Sequence, residues 1–179
     1  MIDPNREKVI SKLPPPHNKK SMQSFMGKIN FVRRFIPNFV EMVKPLQNMV
    51  KQKAEYKWEA TQWEAFESIK EAIANAPSLM SSNFLKEFIL YTFATNTSYT
   101  AVLTQKNLDG DEVPISFMSA WLDGPQLKYP KVDKQVYIVF KAMKHFWPYL
   151  LKSQTKIIVP YRAARNLFVQ KELGEIRAH

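Results

Sequence analysis

Cysteine is absent from this chain of 179 residues. Disulfide bonds and cysteine-based zinc sites are therefore excluded, and the absence fits an intracellular protein. Long apolar runs are also missing, since runs such as residues 88–90 and 157–159 fall far short of the roughly 20 residues that a membrane span needs. Residues 1–20 are polar and basic and lack the apolar centre of a secretory signal. We therefore expect neither a membrane span nor a signal peptide.

Acidic residues are scarce, because 16 Asp and Glu stand against 26 Lys and Arg and give a net charge of +10. Between Glu7 and Glu41 there is no acidic residue. The basic residues of that stretch are Lys8, Lys12, Lys19, Lys20, Lys28, Arg33 and Arg34. A charge of one sign favours a polyanionic partner, with nucleic acid first and an acidic membrane second. The alternative is charge that serves solubility alone.

Hydrophobic residues make up 45% and aromatic residues 13% of the chain, which is enough for a packed core. The spacing of apolar residues predicts three helices, over about 21–36, 39–49 and 61–74. Asn18 and Ser21 are equally suitable caps for the first of them. Thr61 is the predicted cap of the third, with Glu64 completing a capping box. The first part of the chain is therefore predicted to be mostly helical.

The pattern changes near residues 76–82, where β-branched and aromatic residues begin to alternate with polar ones. Strands are predicted over 87–93, 99–105, 113–119 and 156–159, and helices over 131–146 and 162–170. The apolar side of the longer helix is predicted to consist of Val132, Val136, Val139, Phe140 and Met143. The predicted fold class is α+β. The order of its elements is similar to that of RNase H-like domains, although many other α+β domains share it.

A specific pattern lies within residues 24–39, where Ser-Phe-Met-Gly leads to Asn30-Phe31 and then to Arg-Arg-Phe-Ile-Pro-Asn-Phe. This pattern closely resembles the thumb signature of Gypsy-type reverse transcriptases, Ser-Phe-Leu-Gly, Asn-Tyr and Arg-Arg-Phe-Ile-Pro-Asn-Phe. Further runs similar to that family are Pro45-Leu46, Tyr56-Lys57-Trp58, Ala76-Pro77 and residues 88–90. The resemblance extends over about residues 2–167. It implies a small helical thumb subdomain over 1–78, followed over 82–170 by an RNase H-like mixed β-sheet with flanking helices.

Gln23, Gly27 and Phe31 are four residues apart and therefore share one helix face. A glycine inside a helix costs about 1 kcal/mol relative to alanine, and the close approach of another surface is a common reason to keep it. The resemblance implies that this face follows the minor groove of an RNA–DNA or DNA duplex. The other residues that it assigns to the duplex are Lys28 and Asn30, near the groove, and Lys20, Arg33 and Arg34, on phosphates. The alternative is that Gly27 packs against another helix and that the basic residues are only solvated.

RNase H chemistry needs a cluster of carboxylates that holds two divalent metal ions. In the family that this chain resembles, the carboxylates are an Asp in Thr-Asp-Ala-Ser, a Glu in the central helix and an Asp in Thr-Asp-His. The matching positions here are Phe93, Gln135 and Pro160 or Tyr161. The resemblance therefore implies a connection domain with no catalytic residue and no metal site, and Mg²⁺ would be a cofactor of the parent polymerase only. The remaining acids of the predicted turn between strands are interpreted as solvated: Asp109, Asp111 and Glu112.

We therefore predict a non-catalytic, nucleic-acid-binding part of a retrotransposon reverse transcriptase, whose parent is an RNA-directed DNA polymerase with RNase H. The expected partners are the duplex and the rest of the polymerase polyprotein, without a membrane, and dimerisation is left open. The expected location is intracellular, in a cytoplasmic virus-like particle. One alternative is an RNase H-type nuclease with rearranged metal ligands. The other is a host-adopted protein-interaction domain that uses Trp121, Tyr129 and Trp147. His145 is interpreted as structural.

Overall fold

The computed structural model describes residues 12–51, 55–151 and 153–160. Its helices are α1 (Lys19–Asn30), α2 (Phe39–Met49), α3 (Ala60–Ala74) and α4 (Lys131–Leu150). Its strands are β1 (Phe88–Ala94), β2 (Ser98–Lys106), β3 (Glu112–Trp121) and β4 (Thr155–Ile158). Two short 3-10 helices span Arg33–Phe35 and Gly124–Lys128. The helix predicted over 162–170 and the position of Tyr161 lie outside the described residues.

Side-chain caps determine where α1 and α3 begin. Asn18, one of the two predicted caps of α1, accepts a hydrogen bond from the N–H of Ser21 at 2.8 Å, and the Ser21 hydroxyl accepts one from the N–H of Asn18 at 3.1 Å. The predicted cap of α3 is wrong. The helix begins one residue before Thr61, and the capping box is formed by Glu59 and Gln62. Thr61 is thus the second helical residue, where its side chain cannot occupy the cap position.

The three helices of residues 12–79, the helical half, enclose one hydrophobic core. Its buried side chains include Met22, Phe25, Ile29, Val43, Leu46, Phe66, Ile69 and Ile73. The rings of Phe25 and Phe66 lie 5.3 Å apart between centroids and join α1 to α3. The segment before α1 is held as well, because the carbonyl of Pro16 accepts hydrogen bonds from Tyr56 and from Trp58 at 3.0 Å. These contacts fix α1 with one side buried and the other side in solvent.

Residues 88–158, the sheet half, form a mixed four-stranded sheet in the order β3-β2-β1-β4. The three strands β1, β2 and β3 pair antiparallel in sequence order, and β4 pairs parallel to β1. A parallel strand needs a crossover connection, and α4 supplies it. Leu90 and Leu103 of the sheet pack against Ala142 and Phe146 of α4. The second core of the molecule therefore lies between the sheet and α4.

The predicted apolar side of α4 is wrong in part. The residues of α4 that are buried against the sheet are Lys134, Gln135, Ile138, Val139, Ala142 and Phe146. Of the predicted side, Val139 is buried, whereas Phe140 is 61% and Met143 is 36% exposed. Residues 132–147 contain two apolar stripes on neighbouring faces, and spacing alone does not decide which of them the sheet will cover.

The start of α2 and its cap, Asn38, contact the sheet on the face opposite α4. The hydroxyl of Thr100 donates to Asn38 at 3.3 Å, and the N–H of Val40 donates to the hydroxyl of Ser119 at 3.2 Å. Thr100 and Ser119 are direct partners across β2 and β3. Alternation along a strand places both on one face. The helical half and α4 therefore cover the two faces of the same sheet.

Candidate nucleic-acid interface

The outer face of α1 contains the residues that the sequence assigned to a duplex. Gln23, Gly27 and Phe31 are all exposed, opposite the buried Met22 and Phe25. A Cβ atom added to Gly27 would have no described heavy atom within 4 Å. The alternative that Gly27 packs against another helix therefore finds no support among the described residues. No described residue occupies the space beside Gly27.

Basic residues border this face on two sides. Lys20 and Lys28 of α1 are exposed, as are Arg33 and Arg34 of the 3-10 turn that follows it. Within the described residues, neither arginine has a carboxylate at ion-pair distance. The guanidinium of Arg34 lies 5.1 Å from the centroid of the Phe35 ring. The side chains that the resemblance assigned to phosphates, Lys20, Arg33 and Arg34, are thus all exposed, and no described acid compensates the charge of either arginine.

A cleft opens where α1 ends, between the 3-10 turn, β3 and the second half of α4; we call it the turn–α4 cleft. Its volume is about 330 Å³. The residues that line it are Asn30, Phe31, Arg33, Arg34, Ser116, Phe117, Met118, Ser119, Ala120, His145, Phe146 and Tyr149. Four of the eight predicted nucleic-acid contacts therefore meet at this cleft. The other lining residues belong to the sheet half.

His145 faces the arginines from α4. Burial, and secondly the charge of Arg33, lower the pKa of His145 below its usual 6.5. Sequence reasoning interpreted His145 as structural and did not associate it with Arg33, because 112 positions separate the two along the chain. The only signal in the sequence was its position beside Lys144 in a basic pair.

The positions matching the RNase H acids are not brought together. Gln135 is fully buried on α4 and donates from its amide to Thr92, at 2.6 Å to the hydroxyl and 3.3 Å to the carbonyl. Phe93 is 52% exposed and lines a different cleft, beside Pro37 on the opposite face of the sheet. Pro160 is exposed beyond the end of β4. The amide of Gln135 therefore serves packing between α4 and β1.

The acids of the β2–β3 turn are separate from these positions. Asp109 and Asp111 are exposed, and the carboxylate of Glu112 accepts hydrogen bonds from the hydroxyls of Tyr91 at 2.7 Å and Thr104 at 3.5 Å. The bond to Glu112 raises the pKa of Tyr91. Among the residues that the structure describes, no group of three His, Cys, Asp or Glu side chains could hold a metal ion.

The fold and this site define a class of protein, a reverse-transcriptase segment that joins a helical half to an RNase H-like sheet. The chain belongs to the family described as the RNase H-like domain found in reverse transcriptase, whose model matches residues 58–157. Its relatives include the Tf2-3 and Tf2-4 transposon polyproteins of Schizosaccharomyces pombe. Each is 35% identical over 150 residues, which is 82% of this chain and 11% of the polyprotein. The resemblance to Gypsy-type elements is thus confirmed, and the chain spans about a tenth of the length of these relatives.

Solved structures confirm the fold class. The foamy viral protease–reverse transcriptase in complex with dsDNA superposes with a TM-score of 0.79 at 22% identity, over 95% of this chain and 36% of that one. The same enzyme in complex with an RNA/DNA hybrid gives 0.75 at 21% identity, over 98% of this chain and 26% of that one. These likenesses show an α+β fold with an RNase H-like sheet. No helix in the described part of the chain is long and apolar enough to cross a membrane.

Proposed function

We propose that this chain is a non-catalytic part of a retrotransposon reverse transcriptase and that it grips a primer–template or RNA–DNA duplex. The observation that carries the proposal is the exposed face of α1, where no described residue occupies the space over Gly27, between Gln23 and Phe31. Arg33 and Arg34 follow α1 and have no ion-pair partner among the described acids. Backbone phosphates are held by such cations and position a duplex without reading its sequence. The foamy viral structures in complex with dsDNA and with an RNA/DNA hybrid support the same assignment.

The sheet half acts in this proposal as a support that carries the duplex away from the helical half. Phe93 and Gln135 cannot act as carboxylate ligands, so magnesium chemistry belongs to other parts of the parent polymerase. The helical half corresponds to the thumb and the sheet half to a connection domain. The predicted domain limits, 1–78 and 82–170, remain predictions, as does the location in a cytoplasmic virus-like particle. Dimerisation is also open and is measured by sedimentation of the chain with and without duplex.

Duplex binding by Gly27 variants tests the proposal. Gly27→Gln should weaken binding of a fluorescently labelled RNA–DNA hybrid at least about tenfold, because a long side chain fills the space that the groove would occupy. Gly27→Ala should raise stability by about 0.5–1 kcal/mol, since alanine is the better helix former. Both variants are measured by fluorescence anisotropy and by urea unfolding.

The matched control is Ser68→Gln, an exposed position on α3 in the same half. It should leave hybrid binding within about twofold of the unchanged chain. Equal affinities for the Gly27→Gln and Ser68→Gln variants would overturn the role of the α1 face. Binding that is independent of salt would also overturn it and would favour a protein-interaction domain, for which the 52% exposure of Trp147 is the supporting observation.

A digestion assay tests the absence of nuclease activity in the chain. The proposal expects no cleavage of a hybrid in the presence of Mg²⁺. Cleavage that disappears in Asp109→Asn or Asp111→Asn would instead show a ribonuclease with rearranged ligands. A contaminating nuclease is distinguished by this dependence on the chain's own acids.

A further inference from the structure

We propose that the turn–α4 cleft holds one backbone phosphate of the bound nucleic acid between Arg33 and His145. The duplex-binding surface then continues from the helical half onto the sheet half. This inference rests on the proposed function and adds to it a second binding element, on α4, that the thumb signature does not contain.

The cleft continues the α1 face directly. Asn30 and Phe31 are the last residue of α1 and its C-cap, and both line the cleft. A duplex that follows Gln23, Gly27 and Phe31 is therefore led towards the opening of the cleft. Arg33 of the 3-10 turn and His145 of α4 both line the cleft, together with residues of β3. A charged group placed there contacts both halves of the molecule at once.

The charged side chains that line the cleft, among the described residues, are all of one sign. Among the described residues that line it, none is acidic, whereas Arg33, Arg34 and His145 are basic. β3 contributes only serine, phenylalanine, methionine and alanine side chains there, none of which titrates. On α4, the neighbours of His145 that can titrate are Lys141, Lys144 and Tyr149. Lys141 lies over the Tyr137 ring, 5.4 Å from its centroid, and so is engaged elsewhere.

Protonation of His145 places a second positive charge near Arg33 with no described carboxylate lining the cleft, and a bound anion relieves the resulting repulsion. Phosphate suits the position because guanidinium and imidazolium groups both donate charge-assisted hydrogen bonds to its oxygens. In the free protein, burial and secondly the charge of Arg33 lower the pKa of His145 and so disfavour protonation of the imidazole. A bound phosphate raises that pKa, and binding then takes up a proton. Affinity is consequently highest at low pH and falls as the pH rises through the pKa of His145 in the complex.

Hybrid binding at several pH values and salt concentrations tests the proposal. Between about pH 5.5 and 8, the affinity of the unchanged chain should fall roughly three- to tenfold beyond what His145→Gln shows. At the low end of this range, His145→Gln should reduce the salt slope by about one. His17→Gln is the matched control, because His17 is an exposed histidine outside the cleft. It should keep the pH dependence of the unchanged chain.

Proton NMR of the His145 ring in the unchanged chain gives a second readout, which does not depend on the affinity of any variant. Its pKa should be below 6.5 in the free chain and higher in the complex with the hybrid. An unchanged titration of His145 on binding would overturn the proposal. A rise with inorganic phosphate but none with the hybrid would also overturn it, since the cleft would then take free phosphate.

The two proposals fail differently. If the chain does not bind hybrid at all, the proposed function fails. If the chain binds hybrid and Gly27→Gln weakens binding, but His145→Gln matches His17→Gln in affinity, salt slope and pH dependence, only the phosphate site fails.

Discussion

Gln135 stands where the family resemblance implies a metal-binding carboxylate, and its side chain is part of the core. The side chain is fully buried, and its amide nitrogen bonds both oxygens of Thr92. Its amide oxygen has no hydrogen-bond partner among the described residues. A glutamate would lose the donated bonds and bring a negative charge towards the carbonyl of Thr92. The surroundings of this side chain therefore favour a neutral amide over a carboxylate.

We predict that Gln135→Glu destabilises the chain by about 2 kcal/mol or more near neutral pH, because a buried carboxylate is left without a cation. Burial raises the pKa of the new carboxyl in the folded state above its unfolded value, so the loss is small below about pH 4 and grows as the pH rises. Urea unfolding at low and neutral pH measures the difference. Gln154→Glu, at an exposed position, is the control and should show no such pH dependence.

Adding Phe93→Asp to Gln135→Glu should not create a magnesium site. Phe93 and Gln135 lie on opposite faces of the sheet, so their replacements cannot share an ion. Calorimetric titration with Mg²⁺ checks this, and tight binding by the double variant would contradict the observed placement of the two residues.

At the scale of the element, α4 has two apolar stripes, and only one of them packs against the sheet. Phe146 is 1% exposed and packs with Ala142 against β1 and β2, whereas Phe140 is 61% exposed. The helix is continuous through both residues, so only packing distinguishes them.

We predict that Phe146→Ala lowers the free energy of unfolding by about 3–5 kcal/mol, because it removes a buried ring and leaves a cavity. Phe140→Ala, the same change on the same helix, should cost about 0.5 kcal/mol or less. Urea unfolding of both variants measures the contrast. The opposite ranking would mean that α4 is turned with the predicted side towards the sheet.

At the scale of the whole molecule, Gln105 helps to tie the segment between the two halves to the sheet. Gln105 is fully buried on β2, accepts from the N–H of Asn83 at 2.9 Å and donates to the carbonyls of Asn83 at 2.7 Å and Lys86 at 3.1 Å. The N–H of Met80 adds a bond to the carbonyl of Pro114 at 2.9 Å. The connection between the halves is therefore part of the fold.

We predict that Gln105→Ala costs about 3 kcal/mol, roughly one for each hydrogen bond lost. It should also speed tryptic cleavage after Lys86, because the segment is no longer held against β2. Gln47→Ala, a half-buried glutamine on α2, is the control. Cleavage at equal rates in the two variants would show that other contacts hold the segment.

Local sequence patterns predicted most helices and strands, but not the cap of α3 or the hydrogen-bond partners of Gln105. The predicted bounds of α2 are those observed, and the predicted β1 to β3 are within two residues of theirs, because period and turn residues are local signals. The cap of α3 was mispredicted, since Glu59 is an uncommon cap and Thr61 a common one. Gln105 received no role, because its three partners are set by how segment 83–86 folds back.

The sequence by itself determined the family, the α+β class, the positive charge and the identity of the residues on the α1 face, since motif order, composition and helical period are all readable along one chain. Only the tertiary structure decided which stripe of α4 is buried, that Phe93 and Gln135 face opposite sides of the sheet, and that Arg33 and His145 line one cleft. The physical reason is that these outcomes depend on pairing between segments distant in sequence. Packing of the core determines the strand register and the rotation of each helix. These in turn determine whether residues distant in sequence lie together or apart.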